Sequence, residues 1–334
     1  MQDTHISLAH GNGGRYMREL IEELFARHLA NDRLDIQVDA ASLTLDSHDV
    51  IFTTDGFTVQ PLEFPGGDIG SLAVHGTTND LAVAGAIPKY LSLNAFIEEG
   101  LEIAQLERII CSLASAAKDA GVKIVAGDTK VLRRGEGGGL YLATTGIGYK
   151  DPGMNLGLNR IRDGDLMLVS GTVGDHGISV LLAREQFGLR GDLKSDSANV
   201  LPLTRALSGV EGLHFMRDPT RGGLATVCHE LARATGMGVS IRQTDIPISD
   251  PVQSVCDMLG YDPLFLACEG RVVAIVDPGQ AHQVLAQWRA LPDGENAAIF
   301  GKVDANLSRV VLETDLGGKR ILEELEDDPL PRIC

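Results

Sequence analysis

Apolar segments of strand length alternate with segments of helical period along most of the chain, and this alternation confines it to the α/β or α+β class. Met17, Leu20, Ile21, Leu24, Phe25 and Leu29 recur at helical spacing behind Gly11-Asn12-Gly13-Gly14, which predicts a helix with a flexible start. A strand is expected at 50–54. Phe64-Pro65-Gly66-Gly67-Asp68 reads as a turn before a small-residue helix at 69–85. A strand at 90–97, a helix at 105–120 closed by Gly121, and strands at 122–126 and 140–149 complete the first half.

The pattern lapses at 151–165, where Pro152, Gly153, Gly157 and Gly164 stand without periodicity, and this segment reads as the domain boundary. A chain of 334 residues can bury two cores. In the second half, strands are expected at 166–170, 239–242, 271–276, 297–302 and 309–314. Helices are expected at 178–186, 201–207, 223–235 and 280–291. The expected organisation is an N-terminal domain at 1–153, a C-terminal α/β domain at 154–318 and a mobile tail at 319–334, hinged at Gly317-Gly318. The tail carries Glu323, Glu324, Glu326, Asp327 and Asp328 and then runs Pro329-Leu330-Pro331-Arg332-Ile333-Cys334. Its two prolines disfavour helix and favour an extended arm; residues 326–334 span roughly 30 Å when extended.

Composition removes several classes of function. Apolar residues at 44% and charged residues at 22% describe an ordinary globular protein. A net charge of −17 argues against nucleic-acid binding, because nothing neutralises a run of phosphates. It leaves nucleotide binding open, since a bound cation can supply the positive charge. No apolar stretch reaches membrane-spanning length, and residues 1–9 are polar, so a cytoplasmic location without membrane partners is expected.

Three carboxylates of the first half stand at expected strand ends or helix starts: Asp55 in Thr-Asp-Gly, Asp80 in Thr-Thr-Asn-Asp and Asp128 in Gly-Asp-Thr-Lys. Magnesium takes hard oxygen ligands and binds through a few carboxylates plus substrate phosphates. Each aspartate taken singly also fits a turn or a cap. In the second half, Gly174-Asp175-His176-Gly177 and Arg217-Asp218-Pro219-Thr220-Arg221-Gly222-Gly223 precede helices. They suit either an anion site or a helix start capped by Asp218 or Thr220. No Walker A loop and no GxGxxG follows a first strand. His10, His75 and His176 lie near glycine-rich turns without ligand spacing and read as structural. Lys130 suits either a phosphate contact or base, or a solvated surface position.

The cysteines, Cys111, Cys228, Cys256, Cys268 and Cys334, form no CxxC pair, so neither a zinc site nor a disulfide framework is indicated. The first four stand in apolar or helical surroundings and read as small buried hydrophobes. Cys334, on the extended arm, reads as an accessible thiol suited to a nucleophile or covalent carrier, with an incidental residue or an intermolecular disulfide as the alternatives.

These motifs together resemble the HypE family of the aminoimidazole ribonucleotide synthetase-like superfamily. The segments that carry the resemblance are 9–14, 54–56, 64–70, 78–82, 127–131, 174–177, 218–223 and 329–334. The nucleotide-site motifs are shared with selenophosphate synthetase and thiamine-phosphate kinase; the Pro-Arg-Ile-Cys ending narrows the likeness to HypE. The resemblance implies a two-domain α/β fold whose N-terminal domains bind ATP and pair into a shared barrel in a homodimer. It implies ATP and Mg2+, with Asp55, Asp80 and Asp128 on the metal and Asn79, Gly127 and Thr129 beside the nucleotide. It implies a carbamoyl dehydratase. A HypF-like carbamoyltransferase loads Cys334, the carbamoyl group is dehydrated to a thiocyanate, and cyanide passes to iron held by a HypC–HypD-like complex. Lys130 and Glu269 are the candidates for positioning or base work. Another ATP-dependent activase of the superfamily, such as a selenophosphate synthetase, and a non-catalytic scaffold with a docking tail are the alternatives; selenophosphate synthetase uses a Cys or selenocysteine near an N-terminus that here has none.

Overall fold

The computed structural model describes residues 3–38, 40–45, 47–184, 188–189, 191–326, 330 and 333. They fall into two compact units, one of the described residues within 3–81 and 86–150 together with Ile333, the other of those within 82–85 and 151–330.

The first unit opens with α1 (Arg15–Leu20) and α2 (Arg27–Leu29), joined by a π-helical stretch at Ile21–Ala26 into one continuous helix. Then come β1 (Val50–Phe57), the two-residue strands β2 (Glu63–Phe64) and β3 (Gly67–Asp68), and α3 (Ile69–Val83). They are followed by β4 (Ala86–Glu98), α4 (Ile103–Asp119), β5 (Lys123–Leu132) and β6 (Leu140–Lys150). Among the described residues, β1, β6, β4 and β5 form one sheet in that order, with β4 and β5 parallel and the other pairs antiparallel. The parallel pair needs a crossover, and α4 supplies it. The chain leaves α4 at Ala120 and turns through Gly121 at φ +70. Side chains alternate across the sheet. Leu91, Leu93, Ala95 and Ile97 of β4 and Leu140, Leu142 and Thr144 of β6 are buried. The opposite face leaves Phe52 65% and Phe96 37% exposed.

The second unit contains β7 (Leu166–Val169), α5 (Asp175–Ala183), α6 (Leu201–Arg205), β8 (Leu213–Arg217), α7 (Gly223–Thr235) and β9 (Gly238–Arg242). It continues with α8 (Asp250–Leu259), β10 (Val273–Val276), α9 (Pro278–Arg289), β11 (Ala298–Asp304), β12 (Val310–Glu313) and β13 (Lys319–Ile321). The strand order is β13-β12-β9-β11-β7-β10-β8. The inner strand β10 of this sheet is buried on both faces. Val273 and Ile275 of β10 enter one apolar cluster with Leu224 and Phe300, while Ala274 and Val276 enter another with Leu203 and Trp288.

Four details depart from the sequence-based expectations. β8 and α8 were not expected as elements. β5 runs on through Gly127-Asp128-Thr129, because β4 pairs with it residue for residue across that segment. α7 is preceded by Gly222 at φ +75 rather than capped by Asp218 or Thr220, and no side chain caps it. Gly317-Gly318 is the turn of the β12–β13 hairpin, closed by hydrogen bonds from Thr314 N to Gly318 O and from Gly317 N to Thr314 O. Residues 319–321 therefore belong to the second sheet, and Leu322 behind them is buried. Of the arm beyond, Leu330 and Ile333 are described and are buried; Asp327, Asp328, Pro329, Pro331, Arg332 and Cys334 lie outside the described residues.

Trp288 is fully buried, and its indole N–H donates to Leu203 O at 3.0 Å. Trp288→Ala is expected to destabilise the second unit by about 3–5 kcal/mol, through the cavity and the orphaned carbonyl. Urea denaturation followed by circular dichroism measures it, and a loss below about 1 kcal/mol would contradict this account of the core.

Candidate functional site

The first carboxylates of interest are set by how closely α3 packs on its sheet. A Cβ on Gly76 would lie 2.6 Å from Phe57 Cε1, and one on Gly146 would lie 2.8 Å from Thr77 Cγ2. The Thr77 and Thr144 hydroxyls share a short hydrogen bond, and Thr144 Oγ1 also donates to Ala73 O at 3.2 Å. This approach turns the seam between α3 and β1 into a row of polar groups. Asp55 Oδ2 sits 3.5 Å from where a Gly76 Cβ would stand, and Asp55 Oδ1 accepts from Gly56 N at 2.7 Å. One helical turn further along α3, Asp80 Oδ2 accepts from Thr53 Oγ1 at 2.8 Å. Asn79 beside it is buried. Asp55 and Asp80 are thus neighbours along one seam, held by Thr53 and Gly76, two partners that the sequence reading did not single out.

Asp55 was expected at a strand end but lies inside β1, opposite Thr144, because antiparallel pairing continues through Gly56 to Phe57. Asp80 lies in the last turn of α3 rather than at a helix start, and Asp128 lies inside β5 opposite Asn94.

Gly127 lies where a Cβ would meet Leu93 O at 2.4 Å, so glycine is required for β5 to pair there. Asp128 is exposed, accepts from Thr129 N at 2.8 Å and is paired with Lys130 Nζ at 2.7 Å. Lys130 is itself largely exposed. Thr129 points the other way and is buried, and its Oγ1 has no hydrogen-bond partner among the described residues. Beside it lies a cavity of about 110 Å³ with an apolar wall of Ile21, Phe25, Leu29 and Ile124 and a floor at Gly127–Thr129. The glycine-rich start leans on the same strand, since a Cβ on Gly11 would meet Val131 Cβ at 2.8 Å. An apolar slot ending in an unsatisfied hydroxyl suits a flat heterocycle with a polar edge.

Register separates Asp128 from the other two aspartates. Asp55 pairs with Thr144, Thr144 with Leu93, and Leu93 with Gly127, so Asp55 and Asp128 occupy opposite edges of the sheet, roughly 14 Å apart. Among the described residues no group of three or more His, Cys, Asp or Glu side chains is placed to hold a metal ion. The expected trio therefore does not converge within one chain. Asp55 and Asp80 leave two hard carboxylates along one seam, and magnesium takes few protein carboxylates, filling its octahedron with phosphate and water.

In the second unit, Glu269 is buried and clamped through its backbone. Its N–H donates to Asp196 Oδ1 at 3.1 Å, and a Cβ on the next residue, Gly270, would lie 1.8 Å from Asp196 O. Arg271 Nε donates to Thr172 O at 2.9 Å and stands 3.4 Å from Asp196 Oδ2. Asp175 accepts from Ser249 Oγ at 2.9 Å, and burial raises its pKa above the usual carboxylate value. Arg271 and Asp196 were missed from sequence; the signal was the charge pair Glu269 and Arg271 flanking a glycine in an otherwise apolar stretch.

His10 and His176, read from sequence as structural, are buried and engaged within the fold. His10 Nδ1 accepts from Ser7 N at 3.1 Å, and His176 Nδ1 lies 2.8 Å from Ser195 Oγ. Of the cysteines, Cys228, Cys256 and Cys268 are buried as expected. Burial pushes the Cys228 and Cys256 thiols up to about 12 and the Cys268 thiol well above its ordinary value. Cys111 on α4 is the exception: it is exposed.

His75 on α3 links the seam to acid stability. Burial lowers its pKa from 6.5 to about 4, with Asp119 opposing. The unfolded chain therefore takes up a proton between these values that the folded chain does not. Stability is present above about pH 6.5 and is lost as pH falls through about 4, by about 2–4 kcal/mol for this group. Denaturant titrations at about pH 7 and about pH 4.5 should show His75→Gln losing less stability than the unaltered chain; equal losses would remove His75 from the account.

Residues 37–149 match the N-terminal domain of AIR synthase related protein, and residues 162–312 match its C-terminal domain. The chain is 46% identical to carbamoyl dehydratase HypE of Azotobacter vinelandii over 100% of this chain and 98% of that protein. It is 43% identical to carbamoyl dehydratase HypE of Escherichia coli (strain K12) over 99% of this chain and all of that one. Among solved structures, HypE in complex with ATP superposes with a TM-score of 0.92 at 43% identity, covering 98% of this chain and 99% of that one. The HypE–HypF complex gives a TM-score of 0.81 at 41% identity, covering 92% of this chain and 99% of that one. The expected two-domain α/β architecture is therefore the observed one, and the chain belongs to the HypE family of carbamoyl dehydratases, built on the two AIR synthase-related domains.

Proposed function

We propose that this protein uses ATP to dehydrate a carbamoyl group carried on the thiol of Cys334, giving a thiocyanate that supplies cyanide to the iron of [NiFe]-hydrogenase. The observation that carries the reading is the full-length identity to carbamoyl dehydratases, 46% over the whole chain. The buried thiols support a different carrier, since Cys228, Cys256 and Cys268 are enclosed and hard to ionise.

The chemistry assigns work to the carboxylate seam and to the opposite edge of the sheet. A carboxamide oxygen leaves poorly. Transfer of the γ-phosphoryl group of ATP to that oxygen turns it into phosphate, and loss of the two N–H protons then leaves the nitrile. The adenine fits the apolar cavity, with Thr129 Oγ1 on its polar edge. Asp55 and Asp80 are the residues that would hold magnesium, which supplies positive charge against the phosphates. Asp128 lies on the far sheet edge and can join them only from a second protomer. Asn79 and Gly127 complete the nucleotide contacts. Lys130 and Glu269 remain the groups proposed to position or deprotonate the carboxamide: one is an exposed ammonium beside Asp128, the other a buried residue whose backbone N–H is held by Asp196.

The same reading includes a homodimer, a HypF-like carbamoyltransferase as the donor, a HypC–HypD-like complex as the acceptor, and a cytoplasmic location. The dimer is supported by the first sheet. Its edges, β1 and β5, lack further strands among the described residues, and its open face exposes Phe52 and Phe96. Two such sheets joined at their edges close a barrel and bury both rings. Phe52→Asp is expected to weaken self-association by more than about tenfold in sedimentation equilibrium, by stranding a charge on that buried face; an unchanged association constant would contradict the barrel.

Incubation with HypF, carbamoyl phosphate and ATP, followed by mass measurement of the intact chain and its peptides, tests the reaction. The adduct is expected on Cys334 and absent from Cys334→Ala. Asp80→Asn should keep the carbamoyl adduct and convert it at least ~100-fold more slowly. Conversion at the unaltered rate would exclude Asp80 from the phosphate site, and an adduct that persists in Cys334→Ala would exclude Cys334 as the carrier.

A further inference from the structure

Asn31 stands just past the helix that walls the cavity beside Thr129, and it is not itself among the described residues of the lining. Its side-chain amide is fully engaged. Nδ2 donates to Leu29 O at 3.0 Å and to Ile124 O at 2.8 Å. Oδ1 accepts from Arg33 N at 2.9 Å and from Leu34 N at 3.1 Å. Leu29, Ile124 and Leu34 all line the cavity, and they come from three separate segments: the end of α2, the start of β5 and the loop beyond α2. One amide thus ties three walls of the same cavity through their backbones.

The strand ladder alone does not set this spacing. Leu91 of β4 pairs with Ile124 and Ser92 with Ala126, so Val125 is an extra residue that lets β5 bend beside the cavity. Leu29 O lies at a helix C-terminus, where the last carbonyls have no partner inside the helix, and Asn31 supplies the missing donor. The Lys123–Asp32 ion pair joins the same loop and strand, but its side chains are 44% and 64% exposed, so water screens it. Beyond Leu34 the loop holds Ile36 at the cavity, 43% exposed. An apolar side chain kept at an open cavity gains by covering a flat apolar ligand.

We infer that Asn31 is a positioning residue for the nucleotide base: it holds the Leu29, Ile124 and Leu34 walls at the width of a planar heterocycle and thereby sets the affinity for the adenine of ATP. The inference rests on the reading of this cavity as the adenine site. The bonds of the Asn31 amide go to Leu29, Ile124, Arg33 and Leu34 and not to the aspartates of the seam, so Asn31 acts on binding rather than on phosphoryl transfer. An aspartate cannot replace it. A carboxylate keeps both acceptor bonds to Arg33 N and Leu34 N but sets negative charge against Leu29 O and Ile124 O, which need donors. Asn31→Asp therefore cuts the ties to the helix and the strand while leaving the turn intact.

The test compares Asn31→Asp, Asn31→Ala and Ala126→Phe with the unaltered full-length chain. Calorimetry measures binding of the non-hydrolysable imido analogue of ATP with Mg2+, and dehydration of the carbamoylated chain is followed over a range of ATP concentrations. Asn31→Asp and Asn31→Ala should each weaken analogue binding and raise KM for ATP by about tenfold, with kcat at saturating ATP kept within about twofold. Unchanged binding in folded Asn31→Asp would overturn the inference, because the ties to Leu29 and Ile124 would then be dispensable. A fall in kcat with KM unchanged would overturn it too. In the unaltered chain the analogue should slow hydrogen exchange of the Arg33 and Leu34 amides, and unchanged exchange there would overturn the inference whether or not the variants fold. Ala126 lines the cavity, so Ala126→Phe fills it and reports on the adenine reading. Normal binding in Ala126→Phe would remove the adenine from the cavity and the inference with it. Lost binding in Ala126→Phe beside normal binding in Asn31→Asp would leave the adenine reading standing and overturn the role of Asn31 alone.

Discussion

The closeness of α3 to the first sheet is the constraint on which the rest of the site depends. Gly76 and Gly146 leave no room for a Cβ, and the Thr77–Thr144 hydroxyl pair spans the gap. At ordinary helix–sheet spacing, Asp80 could not reach Thr53, and Asp55 would not lie against the helix. The small residues thus convert a packing interface into a seam that holds two carboxylates. Gly70 does the same between helices, since a Cβ there would meet Ile109 O of α4 at 2.3 Å. The cost is carried by buried hydroxyls and by His75, which must stay neutral in the fold.

The opposite edge of the sheet follows a second rule. β5 is parallel to β4, so its polar residues are held by pairing along a whole strand rather than by a turn. That pairing fixes Thr129 inward and Asp128 outward. One strand thereby offers a buried hydroxyl to the apolar cavity and a charged pair to solvent. A three-carboxylate metal site within a single chain is incompatible with this register. A two-carboxylate site completed by phosphate is compatible with it.

Much of this was legible in the residues. Periodicity gave the helix at 15–29, α4, α7 and α9, and the strands β4, β6, β9 and β12, because each has a regular apolar face. Asp55, Asp80 and Asp128 were found as chemistry, but their placement was not. Glycine beside aspartate has the local signature of a turn, and only pairing with distant strands holds it straight. β8 escaped notice because His214 and Arg217 interrupt its apolar run, yet His214 is buried against Asp165 at 2.7 Å. β13 follows a Gly-Gly pair that reads as a hinge until its hairpin partner β12 is seen. Arg271 and Asp196, and the Asn31–Ile124 contact, join residues 75 or more positions apart, which no local pattern encodes. The motif likeness supplied the family, and the end-to-end identity to carbamoyl dehydratases agrees with it.

The central claim is that the carbamoyl oxygen leaves as phosphate. The most direct measurement places a heavy-oxygen label in the carbonyl of the carbamoyl group on the intact chain, adds ATP, and follows the label by mass spectrometry. The account predicts that the label appears in inorganic phosphate in step with loss of one water from the carrier peptide. Unlabelled phosphate, or loss of the whole carbamoyl group without a nitrile-bearing product, would contradict it.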